Sequence, residues 1–323
     1  MLKIRNLSKK YDGKEVLSNL NFQLVKEEFL SIIGPSGAGK STLLRIISNL
    51  EKPSSGAIIS EKVYSKENPA IMVFQDFSLF PHMSIEDNIS YGLKMRKVSQ
   101  NVKREKTEEM LRWFGLQEKA KAYPSQLSAG QQQRVAIARA LILNPMLLLL
   151  DEPFANLDKN LKMDTALFIK KTQKKFGITT IMVTHDQEEA FFISDRIGLL
   201  INGTLLQIDK PELVYHQPIN LSSAQFLGKV NTIPSDYLSY FTISPDIKEK
   251  LSSLDKIKDL SFRYESVSIT RDIEGKGEII ESNIWGKTIL FKVRIQNIII
   301  GIYELRSSLK TGDRVSLTLH QII

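Results

Sequence analysis

The octapeptide Gly34-Pro35-Ser36-Gly37-Ala38-Gly39-Lys40-Ser41 carries the most specific chemistry in this sequence. It matches the pattern G-x-x-x-x-G-K-[ST] in full. An apolar run, Ser31-Ile32-Ile33, precedes it, and a segment of helical period from Thr42 to Leu50 follows. Glycines let successive backbone N–H groups turn inward around phosphate oxygens, and a helix N-terminus adds partial positive charge. The expected ligand is ATP. Lys40 would reach the β- and γ-phosphates, Ser41 would offer its hydroxyl to Mg2+, and Thr42 would extend the cradle. Three further segments could complete such a site. The apolar run Leu147 to Leu150 ends in Asp151-Glu152, where Asp151 would hold Mg2+ and Glu152 would polarise the attacking water. His185 follows the apolar run Ile178 to Val183, and its imidazole would face the γ-phosphate. Gln75 closes a run that begins at Ile71, and its amide would reach Mg2+ or water. Singly these three are ordinary strand ends, and the loop at residues 34–41 gives them meaning.

The elements that must position these residues follow from the pattern of the chain. From Leu2 to about Leu227, short apolar runs alternate with segments of helical period, as in strands covered by helices. The expected class is an α/β P-loop NTPase with a buried sheet. Residues Ser84 to Phe114 read as a helical insertion, and Asn202-Gly203 as a tight hairpin. After Gly228 the character changes: residues 231–260 are polar and hard to read. From Ser261 onward, β-rich runs recur at 266–270, 288–295, 298–303 and 314–319, punctuated by Gly275, Gly277, Gly286 and Gly312. That reads as a small all-β domain of barrel or sandwich type. The expected division is residues 1–230 for the nucleotide-binding domain and 231–323 for the β domain.

Composition narrows the function classes. At 323 residues there is room for two domains. The net charge of +8 reads as a lysine-rich solvated surface, since no block of like charges appears. With no cysteine there is no disulfide framework, thiolate metal site or cysteine nucleophile. No apolar stretch approaches the ~18 residues of a membrane span, and no signal-peptide core is visible near Met1, so a cytoplasmic protein is expected.

One segment points to a particular family. Leu127-Ser128-Ala129-Gly130-Gln131, followed by Gln132-Gln133-Arg134 and an Ala-rich helix, resembles the signature of the ATPase subunits of ATP-binding cassette (ABC) transporters. That signature is usually L-S-G-G-Q, so Ala129 is a departure, one that matters if the backbone there has positive φ. The resemblance covers Met1 to about Leu227. It implies a RecA-like core with antiparallel β and helical subdomains. It also implies that Tyr11 stacks on adenine, that Gln75 is the Q-loop, Ala155-Asn156-Leu157-Asp158 the D-loop, and His185 the switch histidine. Ser128, with the N–H groups of Ala129 and Gly130 and with Gln131, would form a second anion site. The family places this site far from its own phosphate loop, so two copies would meet head to tail, each closing the other's ATP.

The C-terminal stretches Phe226-Leu227-Gly228, Glu265 to Ile269 and Thr311 to Val315 resemble the TOBE-type regulatory module of one importer subfamily. Residues 73–76, 79–83 and 131–134 are most similar to ferric-iron importers, although molybdate, sulfate, polyamine and phosphonate importers share much of this pattern. The resemblance therefore implies an ATPase on the cytoplasmic face of the membrane, under separate permease subunits served by a solute-binding protein. The competing reading is a soluble ABC ATPase acting on nucleic acid or the ribosome. It usually requires two cassettes or a long coiled-coil insertion, neither of which is visible, so no nucleic-acid partner is expected. A degenerate cassette serving an anion-sensing β module fails because the nucleotide residues are intact.

Overall fold

A computed structural model describes residues 2–60, 69–245, 247–248 and 258–323. The chain divides into two compact units, Met1–Val214 and Tyr215–Ile323. The division falls earlier than the 230/231 boundary read from the sequence.

In the first unit, β1 (Leu2–Tyr11), β2 (Lys14–Leu24) and β4 (Ser55–Ser60) form an antiparallel sheet in the order β2-β1-β4. The main sheet begins with β3 (Phe29–Ile33). It also contains β5 (Ala70–Val73), β6 (Leu147–Asp151), β7 (Thr179–Thr184), β8 (Arg196–Ile201) and β9 (Thr204–Asp209), in the order β5-β6-β7-β3-β8-β9. Its first five strands are parallel, and β9 returns antiparallel to β8. The β8–β9 turn is Asn202-Gly203, both left-handed, as the sequence indicated.

A strand alternates its side chains between faces, and that alternation splits the leucine run of β6. Leu148 and Leu150 pack with Phe29, Met182, Ile85 and Val135 on one side of the sheet. Leu147 and Leu149 pack with Leu30, Ile32, Ile181, Val183, Leu43 and Leu44 on the other. Burial on both faces is why these strands read as continuous apolar runs. At about 1.5–3 kcal/mol per fully buried aliphatic side chain, the run is a large part of what holds the sheet.

Helix α1 (Lys40–Ile47) leaves the end of β3. It begins two residues before the expected Thr42 and stops before Asn49, which is left-handed. The helical insertion comprises α2 (Ile85–Met95) and α3 (Gln100–Trp113). Ser84 caps α2 by accepting from the N–H of Asp87, and Ile85, Ile89 and Leu93 supply its buried stripe. Then come α4 (Ala129–Leu141), α5 (Lys159–Phe176) and α6 (Gln187–Ile193), capped by Ser128, Asp158 and Asp186. Helix α7 (Pro211–His216) spans the division between units. Among the described residues no helix is long and apolar enough to cross a membrane.

The second unit starts with α8 (Leu221–Leu227), followed by β10 (Val230–Pro234), β11 (Phe241–Ile243), β12 (Asp259–Arg263) and β13 (Val267–Arg271). Strands β14 (Gly277–Trp285), β15 (Thr288–Ile295), β16 (Ile298–Glu304) and β17 (Arg314–Leu319) complete it. Apart from the pair β10–β12 they form one sheet, β11-β17-β14-β15-β16, with β13 also paired to β17. The sheet curls until its ends are linked by a side chain, Glu304 of β16 accepting from the N–H of Ile269 in β13. The amide of Asn231 both donates to and accepts from Gly301, holding β10 to β16. After α8 the unit is therefore built of strands and barrel-like, around a core that includes Phe262, Phe291, Ile302 and Leu317. Within the stretch 231–260, residues 246 and 249–257 lie outside the described residues.

Candidate functional site

Parallel strands deliver their following loops to one edge of a sheet, where ligands of open α/β sheets bind. The register makes this concrete. Ile33 of β3 pairs with Thr184 of β7, Asp151 of β6 with Val183 of β7, and Val73 of β5 with Leu150 of β6. The residues that follow are the loop at 34–39, Glu152, His185 and Gln75. All four strand-end segments foreseen in the sequence therefore open on the same edge.

The phosphate loop is shaped by close approach. A Cβ on Gly34 would lie 2.0 Å from the carbonyl oxygen of Leu200 in β8, so only glycine fits there. Gly39, at φ +95°, is the N-cap of α1 and gives it no side-chain cap. The first-turn N–H groups of α1 are thus offered toward the loop. Ala38 is buried, while Pro35, Ser36 and Gly37 are exposed. Lys40 is buried, with its Nζ donating to the carbonyls of Gly34 (2.8 Å) and Pro35 (3.0 Å). Burial holds its pKa below the ordinary lysine value, against the opposing pull of Glu152 and Asp151.

Ser41 donates to Oδ1 of Asp151 at 2.9 Å, joining the loop to β6. Burial pushes the Asp151 carboxyl above its usual range, and neighbouring Glu152 adds to this; the Ser41 hydrogen bond opposes it. A hydroxyl and an electrostatically underpaired carboxylate, side by side, fit Mg2+, a hard cation that takes a few protein oxygens and completes its shell with phosphate and water. Among the described residues no group of three or more His, Cys, Asp or Glu is placed to hold a metal by itself. Glu152 is half-buried, lies at φ +44°, and its N–H donates to Val183 across the sheet. Its Oε2 stands 3.1 Å from Nδ1 of His185.

Tyr11 reaches the first turn of α1, its hydroxyl sharing hydrogen bonds with Glu51 and Thr42. The Glu51 bond, with burial second, raises its pKa. Lys9 lies 4.8 Å from the Tyr11 ring centroid and 2.8 Å from Glu51, whose carboxyl it helps hold low. Nothing in the sequence pattern marked Lys9 or Glu51, because they come together only when β1 meets the end of α1.

Gln75 is exposed, and its carbonyl accepts from Asn156 Nδ2 at 3.0 Å, tying the segment after β5 to the one after β6. The following residues are held by Arg139 of α4, which donates to the carbonyls of Phe77 and Ser78. The segment Ser128-Ala129-Gly130-Gln131 opens helix α4. Ser128 Oγ accepts from the N–H of Gln131, and Gln131 Oε1 accepts from the N–H of Ser128, a reciprocal cap. Among the described residues these four make no hydrogen bond to residues 34–41. Ala129 is the first residue of α4 and is not among the residues with positive φ, so its methyl group brings no backbone strain. Gly130 has a packing reason: a Cβ there would press on Leu161 at 3.0 Å.

Comparison with known proteins gives the same picture. Residues 17–155 match the family described as ABC transporter. The chain is 45% identical over 244 residues to the spermidine/putrescine import ATP-binding protein PotA of Lawsonia intracellularis, covering 74% of this chain and 66% of that one. It is 42% identical over 241 residues to the Fe(3+) ions import ATP-binding protein FbpC of Escherichia coli O157:H7, covering 73% and 69%. The match thus spans just under two thirds of the Lawsonia protein's length. Among solved structures, the dimeric ABC transporter cassette MJ0796 is 35% identical, with TM-score 0.58, covering 65% of this chain and 99% of that one. The same cassette is also known as a dimer in a post-hydrolysis state bound to ADP and Pi.

Proposed function

The chain belongs to the ABC transporter family of ATP-binding proteins, and from that premise we propose that it hydrolyses ATP to energise import through separate membrane permease subunits. The observation that carries this reading is the convergence on one sheet edge of the loop 34–41, the Ser41–Asp151 pair and the Glu152–His185 pair.

ATP is held by the N–H groups of the loop and the start of α1, with Lys40 turning from its two carbonyls to the β- and γ-phosphates and Tyr11 against adenine. Ser41 and Asp151, with Gln75, would hold Mg2+, which would supply positive charge against the phosphates. Glu152 accepts a proton from water as the water oxygen bonds to the γ-phosphorus. The bond from that phosphorus to the β–γ bridging oxygen breaks, and ADP leaves with the electron pair. His185 steadies Glu152 and the γ-phosphate. Ser128, Ala129, Gly130 and Gln131 close the ATP of a second copy, so that ATP joins two subunits and hydrolysis separates them.

The imported solute is a small cation, a polyamine or ferric iron, on the likeness to the Lawsonia and Escherichia proteins. A solute-binding protein delivers it outside, while this chain sits peripherally on the cytoplasmic face. The barrel-like part of the second unit is a TOBE-type regulatory module.

Glu152→Gln tests the mechanism. Glutamine keeps the size but not the base, a loss of about 10²–10⁴ in rate. The variant is expected to be monomeric without nucleotide, dimeric with ATP and monomeric with ADP, by light scattering after size exclusion. Adding Ser128→Arg should abolish the dimer. A dimer indifferent to ATP, or to Ser128→Arg, refutes the shared site.

A further inference from the structure

The bond from His185 to Glu152 belongs to a histidine whose side chain is 54% exposed, so its direction depends on the backbone that carries it. Both neighbours of that residue are clasped. Thr184, the buried last residue of β7, donates its hydroxyl to Oε2 of Glu189 (2.6 Å) and accepts from the N–H of Asp186 (3.0 Å). Asp186 in turn accepts from the N–H of Glu189 with Oδ1. Thr184, before His185, is therefore anchored to the Glu189 carboxylate, and Asp186, after it, to the Thr184 hydroxyl and the Glu189 backbone. Glu189 is only 7% exposed, and burial raises its pKa, so its ionised form needs a cation nearby. Lys162 supplies it from α5, with Nζ 3.0 Å from Glu189 Oε1 and 3.3 Å from Asp186 Oδ2. That helix starts at the end of the segment 155–158, whose Asn156 holds the Gln75 carbonyl.

We propose that Lys162 and Glu189 are positioning residues for His185, clamping Thr184 and Asp186 so that the imidazole stands on Glu152. This rests on the ATPase reading above, because only then does the placement of His185 set a rate. Without Lys162, the buried carboxylate takes up a proton or draws in water, and the clasp on both sides of His185 loosens. An ion pair that merely pinned α5 to α6 would act on stability alone, so a double-mutant cycle separates the two roles.

Lys162 borders a cavity of about 540 Å3 shared with His185 and Met163, so methionine at 162 is accommodated. ATP hydrolysis is measured at single turnover for the wild type, Lys162→Met, His185→Ala and the double variant, with ATP affinity measured alongside. Lys162→Met is expected to lower the rate about tenfold, with ATP affinity within about twofold of wild type and most of the rate restored in Lys162→Arg. In the His185→Ala background it should cost nothing further. A full tenfold loss added on top of His185→Ala, or an affinity loss that matches the rate loss, overturns the positioning role and leaves the ATPase reading standing. A wild type that does not hydrolyse ATP overturns both. If Lys162→Met does not fold, Glu189→Gln, which still accepts from Thr184, carries the same cycle with the same outcomes.

Discussion

Asp151 shows what the site costs before a ligand arrives. Its pKa is raised by burial, so the folded protein binds a proton there more tightly than the unfolded chain does. The sign follows: the contribution of Asp151 to stability is greatest at low pH and declines as pH rises from its unfolded pKa through its folded one, so at neutral pH the ionised group destabilises the apoprotein. Asp151→Asn can still accept from Ser41 and carries no charge. We expect calorimetry at pH 7 to show the nucleotide-free variant melting higher, by about 2–4 °C if the gain is about 1 kcal/mol. The further rise on adding Mg-ATP should be smaller than in wild type. A lower melting temperature would mean the carboxylate is already well paired. Lys40 faces the same burial from the opposite charge. Lys40→Ala leaves bound phosphate without its buried cation, a loss of about 3 kcal/mol or more, or over a hundredfold in Kd by titration with a fluorescent ATP analogue.

Among the elements, those buried on both faces were the most legible in the sequence. The leucine run of β6 and the run from Ile178 are found within a residue of their expected places, because burial leaves little room for polar residues. Strand β14 escaped notice for an equally physical reason. A register shift between Ile279 and Glu281 breaks its alternation, and past it none of residues 281–284 is buried. The site was legible where a local backbone demand selects residue type, as in the loop 34–41. It was illegible where side chains far apart in sequence meet, as with Lys9 and Glu51 around Tyr11 or Arg139 behind Phe77. The approach of β3 to β8 gives an element-scale test. Gly34→Ala puts a methyl group against the Leu200 carbonyl, and since backbone cannot yield as a side-chain tip does, the loop must move. Circular dichroism is expected to stay native while ATP binding is lost; retained affinity would show that the loop has slack.

On the scale of the whole molecule, the division at Val214 has an experimental consequence. Arg263 reaches back to the carbonyls of Tyr215 and Ala224, so α8 belongs to the second unit. A fragment ending at Val230 keeps α8 without Arg263, whereas one ending at Val214 does not carry it at all. The shorter fragment is expected to bind ATP and to aggregate less by light scattering than the longer one. The reverse order would show that α8 is stabilised by the first unit. The first unit has a unity of its own, because β6 is the common wall of two cores and neither can be exposed to water while the other stays packed. The backbone amides of β3, β6 and β7 should therefore exchange with deuterium only when the entire unit opens, all at one slow rate. With ATP at the proposed site, on the ends of those same strands, a saturating analogue should slow their exchange by a common factor along their full length. A ligand at the rim would then be recorded in the hydrogens of the interior.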